Sequence, residues 1–160
     1  RSIGFQKCDE LKLHPSLKER RLTNPDAPRN DHAIRVEVEG EKTWAIPILF
    51  SRTDKYDTER GGVLFRYMQF KLQAVTLDEG TGAVQPVVQK GMPLLYDVDE
   101  VSGFYEQVGR NTGYIIHPEE ILADNYVHWV LGKKELKSPE IVERMQTIFT
   151  EWQRQKEIGR

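Results

Sequence analysis

Ala33-Ile34-Arg35-Val36-Glu37-Val38-Glu39-Gly40 is the stretch on which the fold turns. Ile34, Val36 and Val38 fall on one side of an extended chain and Arg35, Glu37 and Glu39 on the other, the period of a half-buried strand. Gly40 supplies a turn. Trp44-Ala45-Ile46-Pro47-Ile48-Leu49-Phe50 then reads as the return strand. Pro47 cannot donate to a ladder, so it places that strand at an edge or a bulge.

Further along, a charged loop at 51–60 and the Gly61-Gly62 pair lead into residues 63–77. There Met68, Phe70, Leu72 and Ala74 alternate with Gln69, Lys71 and Gln73, which predicts a long strand. Asp78-Glu79-Gly80-Thr81-Gly82 is a turn signal, and 83–89 returns as a shorter strand before Gly91 and Pro93. Residues 33–98 thus form an antiparallel meander of about four strands.

On the N-terminal side, residues 1–32 are polar and interrupted by Pro15, Pro25 and Pro28, and they read as an extended arm. On the other side, 99–160 changes to a helical period. Asp99 can cap a short helix carrying Val101, Phe104, Tyr105 and Val108, stopped by Gly109 and Asn111. His117-Pro118-Glu119-Glu120 opens a second helix, with proline in the first turn and two acids at the positive end, and Gly132 ends it. Ser138-Pro139 opens a third, with Ile141, Met145, Ile148, Phe149 and Trp152 in one apolar stripe that is core or interface. The predicted class is α+β: an antiparallel β-meander followed by C-terminal helices, as a single domain or a fragment of a longer protein.

Composition narrows the function. The chain of 160 residues carries a net charge of −2 with 30% charged and 38% hydrophobic residues, the profile of a folded soluble protein. That charge exerts no general pull on nucleic acid or anionic membrane, so neither is an expected partner. Cys8 is the single cysteine and cannot build a Cys-based zinc site. Residues 1–30 lack the apolar stretch of a signal peptide, which favours a cytoplasmic setting. His14 and His32 read as surface histidines, and Gly61-Gly62 and Gly80-Thr81-Gly82 as turns without the lysine of a phosphate loop.

The most informative chemistry lies at residues 114–129. On a helix starting at Pro118, Glu120, Asp124 and His128 fall four apart on one face, with His117 a turn before Glu120. These are oxygen and nitrogen donors of the kind zinc accepts. The same spacing also describes an ordinary amphipathic helix with acids at its start and a histidine at its end.

The order His117-Pro118-Glu119-Glu120-Ile121-Leu122-Ala123-Asp124-Asn125-Tyr126 resembles the downstream segment of gluzincin-type zinc metallopeptidases, particularly bacterial ones with a Glu-x-x-Ala-Asp/Glu helix. The resemblance implies Glu120 as the third ligand of a Zn2+ site begun by two histidines of an upstream His-Glu-x-x-His helix. It further implies Asp124 as the acid holding one of those histidines, Glu119 as a non-ligating neighbour and Tyr114 as a donor to the oxyanion. His117 and His128 stand as alternative metal donors. The histidines of this chain precede Pro15, Ala33, Pro118 and Trp129, so none begins His-Glu-x-x-His.

The resemblance therefore implies that the first catalytic helix lies upstream of Arg1 in a parent that hydrolyses a peptide or protein substrate, the chain itself being inactive alone. The start at Arg1-Ser2-Ile3 without methionine agrees with that expectation, as does Ile3-Gly4-Phe5-Gln6-Lys7-Cys8, which resembles the segment after the active-site helix in such peptidases. The competing expectation is a non-catalytic interaction module without a catalytic metal, its partner surface formed by Trp44 and the Pro47 edge.

Overall fold

The structure is a computed structural model that describes residues 3–24, 27–55, 57–59 and 61–158. Arg1 and Ser2, Pro25 and Asp26 of the loop read at 24–28, and Tyr56 and Arg60 of the charged loop lie outside the described residues. The fold is α+β: an antiparallel sheet of several strands with helices following it in the chain.

The strands in chain order are β1 (Gln6–Lys7), β2 (Arg21–Leu22), β3 (His32–Val38), β4 (Glu41–Ser51), β5 (Met68–Leu77), β6 (Val84–Pro86), β7 (Val88–Gln89), β8 (Met92–Pro93) and β9 (Leu95–Tyr96). The sheet runs β1-β3-β4-β5-β6, with β2 also paired to β4 and β9 to β5, while β7 and β8 form a separate hairpin. The helices are α1 (Pro15–Lys18), α2 (Phe104–Val108), α3 (Pro118–Val130) and α4 (Pro139–Ile158).

The turn between β3 and β4 is explained by its residues. Val38 pairs with Glu41, leaving Glu39 and Gly40 as a two-residue loop with φ of 51° and 86°. Two positive φ angles match the right-handed twist of the flanking strands, and glycine supplies one at no steric cost.

Pro47 departs from its expected place. It is almost wholly buried and pairs with Leu72 in the interior of β4. On its other flank, β3 pairs with β4 as far as Ala45 and β2 takes over at Leu49, so Pro47 falls in the gap between them. Its carbonyl accepts from Asn30 Nδ2 at 3.1 Å. A residue's N–H and C=O point the same way in an antiparallel strand, so the missing donor faces this gap and no ladder bond is lost. Trp44 is half-covered by the Arg35 guanidinium 4.6 Å above its ring. The pair expected to form a partner-binding edge is thus an interior proline and a tryptophan capped by arginine.

Two further elements are shorter than predicted. The 63–77 strand begins only at Met68, after a 3-10 turn at Leu64–Arg66. The 83–89 strand breaks after Pro86, and β5 is met again by β9 beyond the β7–β8 hairpin. Gln73, fully buried, holds the two ends of that excursion together: its Nε2 donates to Ala74 O, Val87 O and Leu94 O at 2.9, 3.3 and 3.1 Å. The short helix expected from residue 99 is a 3-10 turn at Val98–Glu100 followed by α2.

Residues 45–50 are all buried because the sheet is covered on both sides. One core packs Ile34, Val36, Ala45 and Leu72 against Phe104 and Val108 of α2, Ile121 of α3 and Ile141 of α4. The other packs Ala33, Ile46, Ile48, Phe50 and Val75 against Cys8, Leu11 and Leu17. The N-terminal arm is therefore a structural layer, with Ile3 and Phe5 joining the helical core and Cys8, Leu11 and Leu17 forming the opposite one. Burial drives it there: each such aliphatic side chain contributes roughly 1.5–3 kcal/mol.

The apolar stripe of α4 divides. Ile141, Val142 and Met145 are buried, whereas Ile148, Phe149 and Trp152 remain exposed. Phe149 closes an aromatic cluster with Tyr126 and Trp129 of α3, with ring centroids 5.5–6.1 Å apart. Among the described residues no helix is long and apolar enough to cross a membrane.

Candidate metal centre

Asp31, His32 and His117 meet where the start of β3 passes the start of α3. Three backbone features fix the first two. Cys8 N donates to Asp31 O and Leu11 N to Asn30 O, both at 2.9 Å, and Lys7 of β1 pairs with His32. The arm thereby holds the residues leading into β3 from one side, and Asn30 Nδ2 ties them to Pro47.

His117 arrives from the other side as the N-cap of α3. Its φ of −138° and ψ of 141° are extended, Pro118 occupies the first turn, and its Nδ1 accepts from Glu119 N at 3.3 Å. The imidazole thus satisfies one of the helix's otherwise unpaired N–H groups. With Nδ1 an acceptor, the neutral ring carries its proton on Nε2, the atom that faces Asp31.

Asp31 is the hub. Its Oδ1 lies 2.7 Å from His32 Nδ1 and 3.6 Å from His117 Nε2. The two rings stand edge to face, with centroids 4.7 Å apart at 82°. Asp31 and His117 are buried and His32 is partly so. Lys7 Nζ approaches Asp31 Oδ2 to 3.9 Å from a largely exposed position, where a pair is worth at most about 1 kcal/mol.

These three residues could hold a metal ion, since their donor atoms all lie within 4.8 Å of one another. Two donors about 2.1 Å from a tetrahedral ion stand about 3.4 Å apart, so the observed separations bracket what an ion requires. The group borders an open cleft of about 170 Å³, also lined by Lys7, Arg29 and Glu119.

Electrostatics favour the ligating forms of Asp31 and His32. Burial alone would raise the Asp31 carboxyl, but hydrogen bonding and charge from His32, the hydrogen bond from His117 and the charge of Lys7 outweigh it and hold the group below its ordinary range. Burial, joined by the charges of His117 and Lys7, outweighs the hydrogen bond and charge of Asp31 and holds the His32 pKa below its ordinary value, which favours the neutral ring. A carboxylate and neutral imidazoles are the forms a metal binds.

The same shifts set a pH dependence. Below the unfolded value of 6.5, the unfolded chain takes up a proton that folded His32 refuses, so stability falls as pH drops toward the folded-state pKa. Asp31 adds a second decline below 3.8, where the unfolded carboxyl protonates first. Urea unfolding of the metal-free protein at a series of pH values is expected to show both declines, and His32→Gln is expected to flatten the upper one. An unchanged upper decline in that variant would assign it to another group.

Of the residues singled out from the sequence, His117 belongs to this cluster and Glu119 lines the cleft beside it. Glu120 Oε1 accepts from Asn24 Nδ2, while its Oε2 is enclosed without a hydrogen-bond partner among the described residues. Asp124 accepts from Thr112 Oγ1. His128 Nε2 lies 3.2 Å from Asn111 O, beside a polar clasp of Asn111, Asn125 and Ser138 that joins α3 to the start of α4. Tyr114 is 64% exposed.

Burial pushes the Cys8 thiol up to about 11, helped by the charge of Asp31, so it stays protonated beneath the cluster. His32, expected at the surface, instead donates into the cluster. A hydrogen-bonding acid directly before a strand-leading histidine was the available signal, although nothing local points to His117 as its partner. The sequence matches no protein-family model, no curated protein and no solved structure.

Proposed function

We propose that the chain carries a zinc centre on Asp31, His32 and His117, and that the centre is hydrolytic, with peptide bonds as substrate class. The observation that carries the metal reading is the convergence of one buried carboxylate and two imidazoles beside an open cleft. Two imidazoles and a carboxylate suit zinc, and three protein donors leave a further position for water or substrate. An ion held this way would supply Lewis acidity and water activation. The peptide class rests on the resemblance of residues 117–126 to zinc metallopeptidases. That resemblance implies Glu120 as ligand and Asp124 as the outer acid; the two accept hydrogen bonds from Asn24 and Thr112.

A second reading keeps Glu120 as a ligand, and its enclosed, unpartnered Oε2 favours it. Zinc equilibrium dialysis of the metal-free protein separates the two. One equivalent is expected to bind, to be lost in His32→Ala and to be kept in Glu120→Gln. Loss in Glu120→Gln with retention in His32→Ala would move the site to Glu120, and no binding by the wild type would reject both. Chelator-sensitive cleavage of a quenched peptide library, lost in His32→Ala, tests the hydrolytic assignment.

A further inference from the structure

Resting on the Asp31–His32–His117 reading above, we infer that Glu119 is a positioning residue of the centre, accepting a hydrogen bond from His117 once a metal is bound. His117 Nδ1 accepts from Glu119 N at 3.3 Å, so the neutral ring carries its proton on Nε2, toward Asp31 3.6 Å away. Those roles are reversed from what a metal on Nε2 requires. Coordination there takes the lone pair of Nε2, so the neutral ring must carry its proton on Nδ1. Nε2 loses one proton and Nδ1 gains one, with no change in the charge of the ring.

The new Nδ1–H then needs an acceptor, and the Glu119 N–H it formerly accepted from cannot be one. The Glu119 carboxylate is in place: its Oε2 lies 4.0 Å from Nδ1, on a side chain 72% exposed and free to close the remaining distance. The released Glu119 N–H sits in the first turn of α3, where water can satisfy it. One residue thus serves the ring in both states, with its backbone donating to the metal-free form and its carboxylate accepting from the loaded form. An outer carboxylate of this kind fixes the tautomer and orientation of a ligand imidazole and raises its basicity.

Glu119→Gln removes the charge and keeps the size. Zinc affinity, measured by competition with a chromophoric chelator, is expected to fall about 10- to 100-fold. Nitrogen-15 NMR of the histidine rings supplies a readout that a merely structural role would not move: His117 is expected to be Nε2-protonated without zinc and Nδ1-protonated with it. Glu119→Asp is expected to recover part of the affinity. Wild-type zinc binding together with unchanged affinity in Glu119→Gln would overturn this inference alone, as would a zinc-loaded His117 still protonated on Nε2. Failure of the wild type to bind zinc would overturn the metal reading and this inference with it.

Discussion

Zinc in large excess is expected to raise the unfolding temperature of the wild-type chain by on the order of 10 °C, and His117→Asn is expected to abolish that rise. A ligand that binds only the folded state stabilises it by RT ln(1 + [L]/Kd), about 4 kcal/mol at a thousandfold excess over Kd. For a chain of this size each kcal/mol shifts the midpoint by roughly 2–4 °C.

The choice of asparagine matters because His117 has two roles. As N-cap it accepts from Glu119 N, and removing a cap costs about 1 kcal/mol regardless of metal. Asparagine is among the best N-caps and preserves that bond while removing the imidazole. The metal-free variant is therefore expected to unfold near the wild type, so only the zinc-dependent increment reports on ligation. Calorimetric scans with zinc and with a chelator measure it. A variant that keeps the full zinc-induced rise would remove His117 from the centre.

The second large effect is expected at Gly109, where the end of α2 meets the start of α4. Its N–H closes α2 on Tyr105 O at 2.8 Å, and its φ of 75° and ψ of −175°, which turn the chain away beyond that bond, lie in a region essentially reserved for glycine. A Cβ there would stand 2.6 Å from Ile141 Cγ1 and 3.0 Å from Ser138 Cβ, both at the start of α4. Ile141 is fully buried and cannot swing aside, so the substitution combines backbone strain with overpacking.

Gly109→Ala is accordingly expected to cost about 2–5 kcal/mol, read as a fall in the urea midpoint. Gly40→Ala is the control: φ there is 86°, yet nothing lies within 4 Å of the added Cβ, so only the backbone term remains. Equal losses in the two variants would show that the α2–α4 approach is looser than the structure places it.

Much of the architecture is legible in the residues because periodicity reports faces directly. Ile34 and Val36 announce a strand, and Pro118 with Glu119 and Glu120 announces the start of α3. Pro47 is misplaced by the same reasoning, because its chemistry says only that one donor is missing. Whether a neighbouring strand needs that donor depends on where β3 stops pairing and β2 begins. The N-terminal arm is underestimated for a related reason: Leu11 and Leu17 are too sparse to form a periodic pattern, yet each finds a place over the sheet.

The candidate site divides along the same line. By itself, the sequence determined the α+β class, the helix that begins at His117 and the oxygen and nitrogen donors along it. The tertiary structure alone decided which donors meet. Pairing of β1 with β3 and the N-terminal cap of α3 bring His117 to Asp31 and His32, while Glu120, Asp124 and His128 turn to Asn24, Thr112 and Asn111. The physical reason is that local patterning sets the direction in which a side chain leaves its own helix or strand, whereas a metal site requires several such directions to converge on one point. That convergence is set by the packing of two cores against one sheet.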